Sequence, residues 1–259
     1  MMNKSVGFIG GGRVTKILLG GLSKAGKVPG KVVVSDPSEP VLGRLKEDFK
    51  SIETVLNDNT KAAGQDIVFL AVHPPAIGEV LKGVASALKP ESILISLAPK
   101  FTLARLSEML GGHPKIVRMI PNAPSIIGCG FNPVAFSGSF SSGEKSALLD
   151  LFSACGDCPE VPENTLEIYA ILTAMGPTYL WYQLYELLSL SQSFGLSEKD
   201  AQKGLQSMLT GTVRTMFESG LSPEQVMDLI PVKPLAELEP AMTEGYRNKL
   251  KGVFEKIKP

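Results

Sequence analysis

From the N-terminus to about residue 160, short apolar runs alternate with stretches of helical periodicity. The runs at 6–9, 31–35, 66–72, 92–97, 115–120 and 133–137 have the length and the Val, Ile and Phe content of buried strands. Between them, residues 74–88, 102–110 and 143–154 repeat apolar side chains three and four apart, as helices do. Strand and helix in alternation predict an α/β fold, a doubly wound and mostly parallel sheet. Past Pro162 the strands cease. Residues 163–194, 197–219 and the C-terminal tail read as helices, with Ser197 and Ser222 as N-caps and Gly195 and Gly220 as stops. The pattern divides the chain into 1–160 and an all-helical 161–259. From Leu166 to Leu190 the apolar density exceeds one stripe, so that helix needs cover on several sides. With no sheet in that half to provide it, a homodimer built through 161–259 is predicted.

Chemistry enters at the first strand end. The run Val6-Gly-Phe-Ile9 breaks into Gly10-Gly11-Gly12, and Val14, Ile17, Leu18 and Leu22 follow at helical spacing. The second strand ends on Asp36. This is the layout of a dinucleotide-binding βαβ unit of Rossmann type, which makes 1–160 an NAD(P)-binding domain. Glycine makes the tight turn and admits the pyrophosphate, a helix N-terminus faces the anion, and an acid meets the ribose hydroxyls. The third glycine of the G-x-G-x-x-G pattern is Thr15 here, a position that sets helix–strand packing and admits a small residue. A glycine turn without a ligand is the alternative. Asp36 tilts the cofactor towards NAD over NADP, since a carboxylate repels a 2′-phosphate; Ser35, Ser38 and Arg44 stand near enough to rearrange around one. Ligands of such sheets lie beyond the strand C-termini, where this chain has His73-Pro74-Pro75, Ala98-Pro99-Lys100 and Pro121-Asn122-Ala123-Pro124.

Composition removes several classes of function. Among 259 residues, 26 Lys and Arg balance 26 Asp and Glu, and no basic block is present, which argues against a nucleic-acid partner. No apolar stretch reaches the roughly 18–20 residues of a membrane span, and the first apolar run reads as a strand instead of a secretory signal. A cytoplasmic protein without a membrane partner is predicted. The three cysteines include the pair Cys155-Gly-Asp-Cys158. It follows a helix instead of opening one, where a reactive thiolate would be stabilised. With His73 and His113 the only histidines, a zinc site lacks ligands. Reduced, incidental thiols and no metal are predicted.

Three segments resemble one family. Ile116-Val-Arg-Met-Ile-Pro-Asn-Ala-Pro-Ser-Ile-Ile-Gly-Cys-Gly130 is similar to the segment that closes the cofactor site of pyrroline-5-carboxylate reductases. Leu172-Thr-Ala-Met-Gly-Pro-Thr-Tyr179 resembles their Ser-Gly-Ser-Gly-Pro-Ala-Tyr start of the substrate-side helix, and 195–201 and 216–220 resemble the helices that follow. The resemblance implies a Rossmann domain, a helical dimerisation domain, and hydride transfer from NAD(P)H to a small cyclic imine in proline biosynthesis. By position it implies a cofactor site of Gly10, Gly11, Gly12, Arg13, Val14, Asp36, Ala71, Val72, His73, Pro74, Ala98 and Asn122. The departures concern the substrate. The family's Ser-Pro-Gly-Gly-Thr-Thr loop is shortened to Ile230-Pro-Val-Lys-Pro234, without hydroxyls, and its prolines give no N–H. Met175 replaces a serine, and His73 stands where lysine is common.

Candidate catalytic residues are therefore Asn122, His73, Thr173, Thr178 and Lys233. Asn122 is read as a crevice-facing amide, or as an Asx turn between prolines. His73 is read as a proton donor, or as a loop residue packed on the cofactor. Lys233 would offer a point charge where backbone donors were lost. Thr173, Thr178 and Tyr179 are polar groups beside the Gly176-Pro177 break, where helix packing is the alternative. A β-hydroxyacid dehydrogenase would need a lysine on the interdomain helix, and 163–195 has none. A cofactor-binding protein that has lost catalysis and acts as a regulator is the remaining alternative.

Overall fold

The computed structural model describes residues 4–259. The elements run β1 (Val6–Ile9), α1 (Arg13–Lys24), β2 (Val32–Asp36), α2 (Glu39–Asp48), β3 (Glu53–Leu56), α3 (Asn59–Ala63), β4 (Ile67–Leu70), α4 (Ile77–Val84), β5 (Ile93–Ser96), α5 (Leu103–Met109), β6 (Ile116–Met119), β7 (Gly130–Phe131), β8 (Val134–Phe136), α6 (Ser142–Phe152) and β9 (Gly156–Asp157). Helical elements follow: α7 (Leu166–Tyr169), α8 (Gly176–Ser193), α9 (Glu198–Glu218), α10 (Pro223–Asp228), α11 (Glu239–Gly245) and α12 (Lys251–Ile257).

Seven strands form one sheet in the order β3-β2-β1-β4-β5-β6-β8, parallel except where β8 pairs antiparallel with β6. The parallel sheet and flanking helices are of the predicted Rossmann class. Its inner strands β1, β2, β4, β5 and β6 are buried on both faces, which is why they read as unbroken apolar runs. Phe8 faces one core layer with Leu18, Leu22 and Phe152, while Ile9 faces the other with Val68, Ile77 and Leu81. Phe8 and Phe69, register partners on β1 and β4, stack with centroids 4.6 Å apart. Asp66 ties the start of β4 to the start of β1: its carboxylate accepts the Ser5 N–H at 2.8 Å and pairs with Lys89 at 2.7 Å.

Three local expectations are corrected. β3 was not foreseen, because a short, half-exposed edge strand of Glu, Thr, Val and Leu carries little apolar signal. The helix expected at 74–88 opens with a 3₁₀ turn at Pro74–Ala76, since prolines supply no N–H for an α turn. The helix expected at 163–194 is four pieces: a 3₁₀ turn at Glu163–Thr165, α7, a π turn at Ala170–Ala174, and α8. Gly176 and Pro177 force the change. Ser197 and Ser222 do cap α9 and α10, Ser222 within a capping box, and Gly195 and Gly220 end helices at positive φ.

The chain forms two compact units, Met1–Met175 with Val253–Pro259, and Gly176–Gly252. Within 176–252, Ala201 is the only buried residue among those described. No helix among the described residues is long and apolar enough to cross a membrane.

Candidate active site

The sheet order reverses at β1: β2 lies on one side and β4 on the other. The C-terminal ends of these two strands flank a crevice of about 550 Å³. Its walls include Gly11, Gly12, Arg13, Val14, Ala71, Val72, His73, Pro74 and Ala98, so nine of the predicted cofactor residues meet in one cavity. Three do not line it: Gly10, Asp36 and Asn122.

Gly10 lies under the crevice. It has φ +105°, and a Cβ there would come 2.5 Å from the Ala71 carbonyl oxygen. Side chains are excluded on both counts. Thr15, at the third glycine position, is fully buried and its hydroxyl donates to the Gly10 carbonyl at 2.6 Å. A side chain at this place therefore reinforces the turn. Asp36 accepts the Gly11 N–H and the Ser38 N–H, each at 2.8 Å, through different oxygens. Its carboxylate is a brace for the glycine turn.

α1 begins at Arg13 with no side-chain cap and no acid in its first turn. The first N–H groups of a helix have no intrahelical acceptor, and they carry the positive end of its dipole. Gly12 and Arg13 are exposed on the crevice wall. Those groups fit a pyrophosphate, which supplies the missing acceptors. α2 adds Val41, Arg44, Leu45 and Asp48, and Lys16 of α1 pairs with Asp48 at 2.7 Å. This wall was overlooked apart from Arg44, although the spacing of three, one and three puts all four residues on one helical face. Leu97 and Pro99, after β5, complete the opposite end.

Asn122 is buried and its amide is spent within the protein. Oδ1 accepts the Phe131 N–H at 3.1 Å, while Nδ2 donates to the Thr173 carbonyl at 3.3 Å. The last contact follows from sequence: Pro177 has no N–H to give the carbonyl four residues earlier, which is that of Thr173. The Thr173 hydroxyl donates to the Tyr169 carbonyl at 2.9 Å. Asn132 carries the same network onward, accepting the Asn122 N–H at 3.1 Å and the Ser125 hydroxyl at 2.7 Å. Gly21 lets α1 press against this loop, since a Cβ there would meet the Ser125 carbonyl oxygen at 2.4 Å. The segment after β6 is thus locked to α1.

His73 is exposed at the crevice rim. Lys233 is exposed in the second unit. Thr178 lines a separate cavity of about 340 Å³ in that unit, with Tyr179, Tyr182, Met242, Gly245, Tyr246 and Leu250. Tyr179 and Tyr246 meet there edge to face, and burial raises the Tyr179 phenol above its ordinary value. Cys155 and Cys158 are unpaired thiols, pushed up to about 12 and about 11 by burial. No cluster of metal-binding side chains occurs among the described residues.

A family model described as NADP oxidoreductase, coenzyme F420-dependent, matches residues 5–100. Pyrroline-5-carboxylate reductase of Escherichia coli is 27% identical over 230 residues, 88% of this chain and 85% of that protein. Pyrroline-5-carboxylate reductase 3 of Bos taurus is 30% identical over 224 residues, 86% of this chain and 72% of that protein. The crystal structure of Plasmodium falciparum pyrroline carboxylate reductase with NADP bound matches with a TM-score of 0.83 and 25% identity, covering 100% of this chain and 98% of that one. An anion-ready helix over a glycine turn, the locked loop after β6 and this similarity along most of the chain lead to one conclusion: the chain belongs to the pyrroline-5-carboxylate reductase family.

Proposed function

We propose that this chain is an NAD(P)H-dependent reductase of the C=N bond of a small cyclic imine, pyrroline-5-carboxylate, in proline biosynthesis. The observation that carries this is the uncapped N-terminus of α1 at one end of a crevice whose other end is walled by Val72, His73, Ala98 and Pro99. Bound NAD(P)H supplies the hydride that the imine carbon takes up, while the nitrogen carries the proton of the iminium. The α1 N–H groups and Arg13 would hold the pyrophosphate. Val72, Ala98 and Pro99 would pack on the nicotinamide and exclude water. Asn122 acts through the fold, keeping the loop after β6 and Thr173 in place. An iminium that arrives protonated needs no acid from the protein, so His73 is read as part of the crevice wall. Lys233 is read as the cation for the substrate carboxylate, and Thr178 as a polar group of the substrate-side helix.

Both cofactors are compatible with the crevice. Asp36 tilts towards NAD, but both its oxygens are engaged by backbone N–H groups. Arg44 on the crevice wall offers a partner for a 2′-phosphate. The relatives' names favour catalysis over the regulator alternative.

The test is oxidation of NADH and of NADPH by the purified protein with pyrroline-5-carboxylate, and with 1-pyrroline, which lacks the carboxylate. Turnover of the carboxylated imine is expected. Lys233→Ala is expected to raise KM for it alone, and Arg44→Ala to raise KM for NADPH alone. Cofactor binding without turnover of either imine would favour the regulator reading.

A further inference from the structure

Arg118 is the single charge in the apolar strand β6, and it is fully buried. A guanidinium keeps its charge at any ordinary pH, so burial obliges the fold to bring carboxylates to it. Glu163 Oε1 lies 3.0 Å from Nη1, and Glu167, itself 1% exposed, pairs with Nη2. Each carboxylate makes a second bond. Glu167 Oε1 accepts the backbone N–H of Lys100 at 3.1 Å, and Glu163 Oε1 accepts that of Leu103 at 2.6 Å.

Lys100 lies in the turn between β5 and α5, and Leu103 is the first residue of α5. The residues just before Lys100, namely Leu97, Ala98 and Pro99, form the end wall of the crevice. Lys100 sits at φ +82°, a conformation that a side-chain-bearing residue rarely holds unaided. A residue so placed persists when its surroundings over-determine it. Here a buried carboxylate holds its N–H, and a buried cation on the neighbouring strand holds that carboxylate. Glu163 and Glu167 also begin the segment that carries Thr173 to Asn122.

The geometry points to Arg118, Glu163 and Glu167 as positioning residues that hold the 97–100 turn, and with it the wall against which the nicotinamide packs. None of the three lines the crevice. Their role rests on reading that crevice as the NAD(P)H site, and it explains why a strand of the core carries an arginine.

The experiment compares Glu167→Met, which removes the acceptor but leaves Arg118 with Glu163, Glu167→Gln, which keeps a neutral acceptor, and both combined with Lys100→Gly. Cofactor dissociation constants, the fluorescence lifetime of the bound reduced nicotinamide, and kcat with pyrroline-5-carboxylate are read on cofactor-loaded protein. Glu167→Met is expected to shift the lifetime towards that of free cofactor and to lower kcat about tenfold, with affinity held within about threefold by the pyrophosphate end. Glu167→Gln is expected to keep most of both. Lys100→Gly is expected to restore lifetime and kcat to Glu167→Met, because glycine takes the left-handed backbone without strain. Affinity and kcat falling together with the melting temperature, or no recovery with Lys100→Gly, overturns the proposal. Should Glu167→Met not fold, hydrogen exchange of the Lys100 amide in the unaltered protein decides. Protection supports the cluster, and exchange at open-loop rates overturns it. A protein that binds NAD(P)H but reduces no imine overturns the reading of the reaction, and the lifetime still decides the cluster. One that binds neither cofactor overturns both.

Discussion

Single residues in this chain are explained by what their atoms can reach. Gly10 accepts no side chain because its φ of +105° and the Ala71 carbonyl both forbid one. Gly10→Ala is expected to destabilise the protein by about 1–3 kcal/mol from backbone strain alone and to weaken cofactor binding further, as denaturant unfolding and a cofactor titration would show. Cys129 is exposed, while Cys155 is buried with its thiol pushed up to about 12 and Cys158 is half-buried at about 11. The thiolate is the reactive form. Iodoacetamide at pH 8 is therefore expected to modify Cys129 alone in the native protein, by mass spectrometry, and to leave cofactor binding intact. Labelling of Cys155 without unfolding would contradict its burial.

At the scale of elements, the starts of β1 and β4 are joined through one acid. Lys89 and the Ser5 N–H lower the Asp66 carboxyl to about 2, below the ordinary 3.8. A depressed carboxyl stabilises the fold above its unfolded value and loses that contribution as pH falls through its folded value. The urea midpoint is expected to drop between pH 4 and pH 2. Asp66→Asn should lower the midpoint at pH 7 and flatten its dependence across that window. The break before α8 belongs to this scale as well. Gly176-Pro177 stops an α-helix from running through, a π turn takes up the mismatch, and the Thr173 carbonyl becomes an acceptor for Asn122. Helix-breaking chemistry here creates a contact instead of merely ending an element.

For the whole molecule, the question is what covers the helical unit. α8 buries none of its residues, and Trp181, Tyr182, Tyr185 and Phe194 are 45%, 67%, 71% and 82% exposed. Apolar surface of this kind marks an interaction site. We expect a homodimer through 161–259. Sedimentation at micromolar concentration should give twice the 27.6 kDa chain mass. Emission of Trp181, the single tryptophan, should shift to the red on dilution or with Phe194→Asp. A monomer with unshifted emission would sink the expectation.

Local chemistry in the chain was enough to determine the alternating strands and helices, the glycine turn, the caps at Ser197 and Ser222 and the membership of the family. Periodicity, turn residues and capping side chains act over a few neighbours, so they can be read in order. Much of the crevice wall was legible for the same reason, since Gly11 to Val14 and Ala71 to Pro74 each form one short segment. Only the tertiary structure decided what distant groups do for one another. Asn122 reads as a crevice-facing amide in sequence, yet its partners Phe131 and Thr173 lie on other segments and turn it inward. Asp36 reads as a ribose ligand, yet it braces Gly11. Arg118 in an apolar strand signals a buried charge, but the carboxylates that answer it arrive through the sheet's topology. A hydrogen bond or ion pair forms where the backbone places two groups within about 3 Å, and that placement is a property of the whole fold.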